Sequence, residues 1–358
     1  MTKTGTKIPK EEYLTTGKNI IIDQGKDSIA GYTDRQKGIF KEVPVIVFGD
    51  HTRIVKYVDK PFFLGADGVK VLKSKEKESN YKYLYYALKA AHIPNTGYNR
   101  HFKWLKQINI NYPDFNEQKN IVDILDSLTR VIKVRQKELA FLDKLIKARF
   151  VEMFGDIKAN DKLWPTESFN SLFEVTSSKR ILKSNWQSSG NIPFLRVRDM
   201  VCLSEGKELN NEFYISEKLY DSLSDIDGVP APGDILISAT STLGKCHIVL
   251  ENEKFYFKDA DILRFRPRKE INATYFVEAM ENFYIRDQIN RTLGITTVKH
   301  LTIKATKSLF MRVPPISLQN EFANFIHQVD KSKFENIVYL NKTLSSKILS
   351  QIGDVIRD

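Results

Sequence analysis

Residues 116–153 read NEQKNIVDILDSLTRVIKVRQKELAFLDKLIKARFVEM. Apolar side chains recur at Ile121, Leu125, Leu128, Ile132, Leu139, Leu142 and Ile146, then at Phe150 or Met153, in a four-three alternation interrupted only at Arg135. That spacing is a heptad seam, narrower than an ordinary amphipathic face. At 1.5 Å per residue the predicted helix spans roughly 50 Å, longer than a domain needs for its own core. It reads as a spacer or a pairing helix.

A second helical stretch, residues 318–352, repeats the idea with Phe322, Ile326, Val329, Ile337, Leu340, Leu344 and Ile348, and places Lys333 on its seam. The two also match as sequence. PDFNEQKNIVDILD from Pro113 pairs with PISLQNEFANFIHQVD from Pro315, which sets Gln118 and Gln319 201 residues apart. FGD at 154–156 pairs with IGD at 352–354 at an offset of 198, so a three-residue indel in one helix reconciles them. Two such helices, separated by a domain, can fold back as an antiparallel pair with a domain at each end. Two unrelated amphipathic helices, each packed on its own neighbour, would leave the same pattern.

The segments ahead of the helices are mixed. In 1–115, runs at 19–23, 43–49, 53–58 and 69–72 predict strands and 80–91 predicts a helix. In 161–315, strands are predicted at 192–197, 234–238, 246–250 and 262–267, followed by a helix over 273–290. Strands that come in groups before a helix argue for a duplicated α+β unit. The expected organisation is a first domain over 1–115, a spacer helix over 116–156, a second domain over 157–315 and a distal helix over 316–358.

Composition narrows the function. The chain has 358 residues, 42% hydrophobic, enough for packed cores. Its formal charge is +11, and +8 of this falls in the first 115 residues, which suits a polyanion partner. Cys202 and Cys246 are the only cysteines, so neither a disulfide framework nor a four-thiolate zinc site can form, and a reducing cytoplasm is the expected compartment. No apolar run approaches the ~20 residues that span a bilayer, and MTKTGTKIPKEEY lacks the apolar core of a signal peptide, so no membrane partner is expected.

A catalytic centre is not evident. GxGxxG, Walker A, HExxH, GxSxG and CxxC motifs are all missing, and no histidine pair has i, i+4 spacing. Asp114, Glu117 and Lys119 mimic a nuclease order, but acidic groups at a helix start are explained by capping and the helix dipole. Pro314-Pro315-Ile316 lacks the flanks of an amino-methyltransferase tetrad. We therefore expect no catalytic residues, no metal and no cofactor bound by this chain.

Loops rich in Arg, Lys, Asn and hydroxyl groups carry the chemistry that DNA readers use on phosphates and base edges. In the first domain these are 2–10, 33–37, 50–53 and 95–103, with Lys7, Lys10, Arg35, His51, Arg53, Asn99 and Arg100 as candidates. In the second they are 176–183, 239–245 and 294–300, with Lys179, Arg180, Thr240, Ser241, Lys245, Lys299 and His300, to which Arg198 is added. Arg198 could equally pair with Asp199. Each loop alone reads as a solvated turn; their number and distribution favour DNA.

Taken in order, LWP (163–165), NIPFLRVRDM (191–200), APGDILIS (231–238), LGKCHIV (243–249) and GITTVKHLT (294–302) resemble the second target recognition domain of the specificity subunit of type I restriction-modification enzymes. VIVFGDHTRIVKYVDKPFFLGADGVKVL (45–72) is similar to one class of first domain, NEQKNIVDILD (116–126) with FGD to the central spacer helix, and LQNEFANFIHQVD (318–330) to the distal one. The resemblance implies an α+β protein in which two target recognition domains are separated by two long helices paired as an antiparallel coiled coil, in a pseudo-twofold duplicated layout. It implies that each domain reads one half of a split, asymmetric site in double-stranded DNA while the helices set the gap. It further implies a non-catalytic subunit that recruits two copies of a modification (methyltransferase) subunit and a restriction (translocase/endonuclease) subunit, with S-adenosylmethionine, ATP and Mg2+ bound by those partners.

One departure concerns the start. LWPTESFNSLFEVTSSK (163–179) has no counterpart in the first domain, which points to a truncated chain, a shifted start or a piece supplied from elsewhere. Two other classes stay open: a detached recognition part of a fused restriction-modification enzyme, and a helical scaffold whose domains bind protein.

Overall fold

The structure is a computed structural model that describes residues 5–65, 68–97, 99–207, 209–293 and 300–339. It divides into two compact units. Unit 1 is the chain up to Leu139 with the residues from Phe334 onward; unit 2 is Ala140–Lys333.

Unit 1 contains β1 (Asn19–Ile22), β2 (Gly31–Thr33), β3 (Val45–Gly49), β4 (Val55–Val58), β5 (Phe62–Leu64), β6 (Val69–Leu72), α1 (Tyr81–Ala90), α2 (Phe102–Leu105) and the first part of α3 (Phe115–Phe154). The VIVFG run of β3 is buried at all five positions because both of its faces are covered. Val45 and Val47 pack with Ile22, Phe40, Phe62 and Leu64, whereas Phe48 points the other way to Ile93 and Leu105. β1 pairs antiparallel with β2 and parallel with β5; β3 pairs antiparallel with β4 and β6.

Unit 2 takes the last part of α3, then β7 (Thr166–Ser168), α4 (Phe169–Leu172), β8 (Phe173–Ser177), β9 (Ile192–Leu195), α5 (Val197–Ser204), β10 (Tyr214–Ile215), α6 (Glu217–Ser224), β11 (Ile235–Ser238), β12 (Cys246–Ile248), β13 (Tyr256–Phe257), β14 (Ile262–Pro267), α7 (Ala273–Glu281), α8 (Phe283–Leu293), α9 (Ile303–Lys307), β15 (Phe310–Arg312) and most of α10 (Ile316–Val338). β9 pairs antiparallel with β10 and parallel with β13, and β11 antiparallel with β12 and β14. Six strands in the same chain order thus take the same partners in the same senses as in unit 1. Unit 2 adds β8, antiparallel on the outer edge of β14, and β7 on β15.

The helix expected over 273–290 is broken. Asn282 is extended (ψ 145°), and its Oδ1 accepts the Tyr284 N–H at 3.0 Å, so a capping side chain ends α7 and starts α8. The expected strands all form, one or two residues shorter than expected except for two that match, whereas β2, β5, β10 and β13 are two- or three-residue strands that periodicity does not register. Cys246 is buried, and desolvation pushes its thiol up to about 12. A thiol reagent at neutral pH is therefore expected to label half-buried Cys202 in the folded protein and Cys246 only after unfolding, which mass spectrometry of alkylated peptides checks.

The duplication extends to single hydrogen bonds. Asn80 and Asn272 each cap a helix through Oδ1, and each donates its own N–H to a buried glutamine, Gln118 at 3.2 Å and Gln319 at 2.9 Å. Those glutamines donate in turn to the carbonyls of Pro113 and Pro314. Tyr83 Oη donates to the Asn111 carbonyl and Tyr275 Oη to that of Arg312. Gln319→Ala strands an N–H and a carbonyl in an apolar setting, with an expected cost of about 1–3 kcal/mol read as a lowered urea midpoint.

α10 meets α3 through seam residues and through polar pairs beside them. Lys333 Nζ lies 2.8 Å from Asp143, Arg149 2.9 Å from Glu321, and Arg135 donates to Asn336 at 3.0 Å with its guanidinium 5.3 Å from the Tyr339 ring centre. Phe150 and Phe154 stack edge-on against Phe322. Leu340, Leu344, Ile348 and the IGD match lie outside the described residues.

Candidate nucleic-acid interface

In unit 2 the carboxyl ends of β8, β9, β11 and β13 meet the amino end of β14, and backbone bonds tie their loops together. Ala239 N–H donates to Asp261 O, Leu301 N–H to Ala239 O, and Lys258 N–H to Leu195 O, all at 2.8–2.9 Å. Ser177 Oγ accepts the Ala260 N–H, His300 Nε2 lies 2.9 Å from the Ala260 carbonyl, and the Lys179 N–H donates to Tyr256 Oη. The same loop end therefore gathers Lys179, Arg180, Thr240, Ser241 and His300. Lys179, Arg180 and Ser241 are exposed; Thr240 and His300 are half-buried. Lys179 and Arg180 have no ion pair among the described residues. Ser241 (φ 56°) and Ala260 (φ 62°) hold left-handed backbone, a cost that a functional loop commonly carries.

Two candidates in unit 2 face carboxylates instead. Arg198 bonds Asp199 and Glu212, and both contacts raise its guanidinium above the ordinary value. Lys245 lies 2.8 Å from Glu281, which also receives Arg286. Lys299 lies outside the described residues.

In unit 1 the loops after β1 and β3 meet in the same way. Asp50, almost fully buried, clamps the segment 93–103: its carbonyl accepts the His101 N–H at 2.8 Å and its Oδ1 accepts the Phe102 N–H at 2.8 Å. Gln24 reaches the next turn, accepting the His51 N–H at 3.2 Å and, through its carbonyl, Thr52 Oγ1 at 2.6 Å. Beneath lies Lys56, donating to Asp27 O at 2.6 Å; burial lowers its ammonium despite Asp23 at 3.5 Å. His51 and Arg53 therefore sit on one clamped loop end with Asn99 and Arg100. Arg53 (φ 62°) donates to the Ile93 carbonyl and serves the loop as a brace, and Asn99 caps back onto Thr96. Arg100 is exposed with no ion pair among the described residues. Lys7 and Lys10 are exposed on the opening segment, where Ile8 N–H bonds Leu64 O, and Arg35 lies 2.5 Å from Glu12.

A family model described as the type I restriction modification DNA specificity domain matches residues 1–143 and 162–345. The chain belongs to this specificity-domain family. Among relatives of the specificity-domain chain, the Haemophilus influenzae protein named as type I restriction enzyme specificity subunit S.HindORF215P is 30% identical over 288 residues, covering 77% of this chain and 69% of the relative. The MjaIX specificity subunit of Methanocaldococcus jannaschii is 24% identical over 275 residues, 70% of this chain and 59% of that one. The crystal structure of the type I restriction-modification S subunit from M. genitalium aligns over 99% of this chain and 93% of its own, with a TM-score of 0.59 at 18% identity, which supports the α+β fold with two domains.

Side-chain type alone missed part of the specificity domain's basic surface. Lys70 and Lys106 both lie over the Phe102 ring, at 5.7 and 5.1 Å from its centre, and Lys103 lies 5.0 Å from that of Trp104. The interleaving of Lys103 and Lys106 with Phe102 and Trp104 was the available signal; Lys70 arrives from β6 and has none. Among the described residues no three His, Cys, Asp or Glu side chains gather as metal ligands, and no helix is long and apolar enough to cross a membrane.

Proposed function

We propose that this chain is the DNA-reading subunit of a type I restriction-modification system, with one half of a split, asymmetric site read by each unit. The observation that carries this reading is the repeated six-strand topology, which ends in both units at a clamped cluster of loops bearing exposed cations, hydroxyls and amides. Phosphate contacts from Lys179, Arg180, Arg100 and Lys10 would position such loops, and Thr240, Ser241, Asn99 and His300 would read base edges.

The partners of Asp143, Arg149 and Arg135 fall at Lys333, Glu321 and Asn336, so positions that ascend α3 descend α10. This supports an antiparallel coiled coil in which the polar seam residues Arg135 and Lys333 set register. A rod of that kind would hold the gap between half-sites constant and offer its outer face to two modification subunits, with a restriction subunit joining the assembly. S-adenosylmethionine, ATP and Mg2+ would be bound by those partners, in the cytoplasm, and this chain would perform no reaction.

Co-expression with the modification subunit encoded beside it, followed by methylation mapping of the host DNA, tests the proposal. A two-part motif with a constant gap, appearing only when this chain is present, is the expected result. A stable complex without new methylation would sink the split-site reading, and failure to form any complex would favour a protein-binding scaffold.

A further inference from the structure

The register that aligns Gln118 with Gln319 extends back through the segment ahead of each long helix. At the same offset of 201, Ile108 stands at Leu309, Ile110 at Met311 and Pro113 at Pro314. Two lysines keep that register, Lys103 with Lys304 and Lys106 with Lys307. Lys103 lies in α2 and Lys106 directly after it; both counterparts lie in α9. Leu105 and Thr306, the residues ahead of Lys106 and Lys307, are buried, which turns one side of each short helix inward. The lysines stand three residues apart, so each pair shares the neighbouring side. Lys103, Lys106 and Lys304 are exposed and Lys307 is half-buried, and none of the four has an ion pair among the described residues.

Their surroundings are poor in acid. Residues 79–113 contain five Lys or Arg and residues 288–320 another five, and neither stretch contains an Asp or Glu. At the start of α2, Asp50 is almost fully buried and is occupied by the Phe102 N–H at 2.8 Å and by Lys70 at 3.9 Å. α9 packs against α4 and β8, whose one carboxylate, Glu174, has no ion pair with either lysine among the described residues. Both pairs also follow directly from the loop ends described above. Asp50, after β3, holds the Phe102 N–H, and Ala239, after β11, accepts the Leu301 N–H at 2.8 Å.

The sequences ahead of the two pairs differ, PNTGYNRH at 94–101 against GITTVKHL at 294–301. Positions that differ can distinguish two half-sites. Exposed positions that repeat serve what the half-sites share, and in duplex DNA that is the phosphate backbone. A lysine ammonium, a point charge with three rotatable donors, suits phosphate oxygens without demanding a fixed geometry. We propose that Lys103 with Lys106, and Lys304 with Lys307, are equivalent phosphate clamps, one in each unit, that grip the DNA backbone without regard to sequence and hold the neighbouring loops in register with the bases. Such clamps rest on the DNA-reading role proposed above and add to it a contact that carries no sequence information.

The test makes Lys103→Gln with Lys106→Gln, and separately Lys304→Gln with Lys307→Gln, in the complex with the modification subunit. Affinity is then measured across a salt series for DNA carrying the two-part motif and for DNA lacking it. Each pair should lower the magnitude of the log-log salt slope by about 2 and weaken both DNAs by the same factor, about tenfold or more, leaving their ratio and the methylated motif unchanged. Lys103→Arg with Lys106→Arg, which retains the charge, should restore the slope. A role confined to the helix dipole or to folding would instead lower the urea midpoint and leave the slope unmoved. An unchanged slope, or a shift in the preferred half-site, would overturn the proposal. Loss of the modification subunit from the complex with the slope unchanged would assign the lysines to a protein contact and overturn it as well. An unaltered complex that prefers no sequence would overturn the DNA-reading role and the clamps with it; a preference with unmoved slopes would remove the clamps alone.

Discussion

Phe154→Ala is expected to destabilise unit 2 by about 3–5 kcal/mol, the range for truncating a buried aromatic. Phe154 is fully buried at the end of α3, with ring centres of Phe150, Tyr275 and Phe322 at 4.9, 4.8 and 5.3 Å. These rings come from α3, α7 and α10, so the cavity left by alanine would be walled by three rigid elements and could collapse only partially. The backbone contact would survive, because Trp164 Nε1–H donates to the Phe154 carbonyl. A Trp104→Phe background leaves Trp164 and Trp186, both in unit 2, as the fluorescent reporters of urea unfolding. A loss below about 1 kcal/mol would show that the cluster does not anchor the helices.

Lys179→Glu combined with Arg180→Glu should abolish most DNA affinity of the assembled complex while changing stability by no more than about 0.5 kcal/mol, the usual range for exposed positions. Both side chains are exposed at the unit 2 loop end, with no ion pair among the described residues. If each contacts one phosphate, the log-log salt slope should fall in magnitude by about 2, and affinity should drop by at least about tenfold. Arg198→Ala is the control. Asp199 and Glu212 already neutralise Arg198, so its removal should leave DNA affinity nearly unchanged. An unaltered slope in the double variant would remove these two residues from the interface; a large effect at Arg198 would show that its carboxylate partners give way to DNA.

Much of the architecture was legible because it is written in periodicity. The heptad seam from Ile121 predicted a helix over 116–153, and the structure has one at Phe115–Phe154. The Gln118 and Gln319 match, found as a repeat, turned out to be a repeated hydrogen-bond device. The short pairing strands were not legible, since two residues such as Tyr256 and Phe257 contain no period to detect. The binding loops were legible as composition only. Which cations remain exposed without an ion pair depends on carboxylates distant in sequence: Glu281 beside Lys245, Glu12 beside Arg35 and Glu212 beside Arg198.

Apolar spacing acts along the chain, so the sequence by itself determined two long helices, two mixed units and their family. The ends of strands come together only through pairing across the chain, and tertiary structure alone decided which loops share one surface.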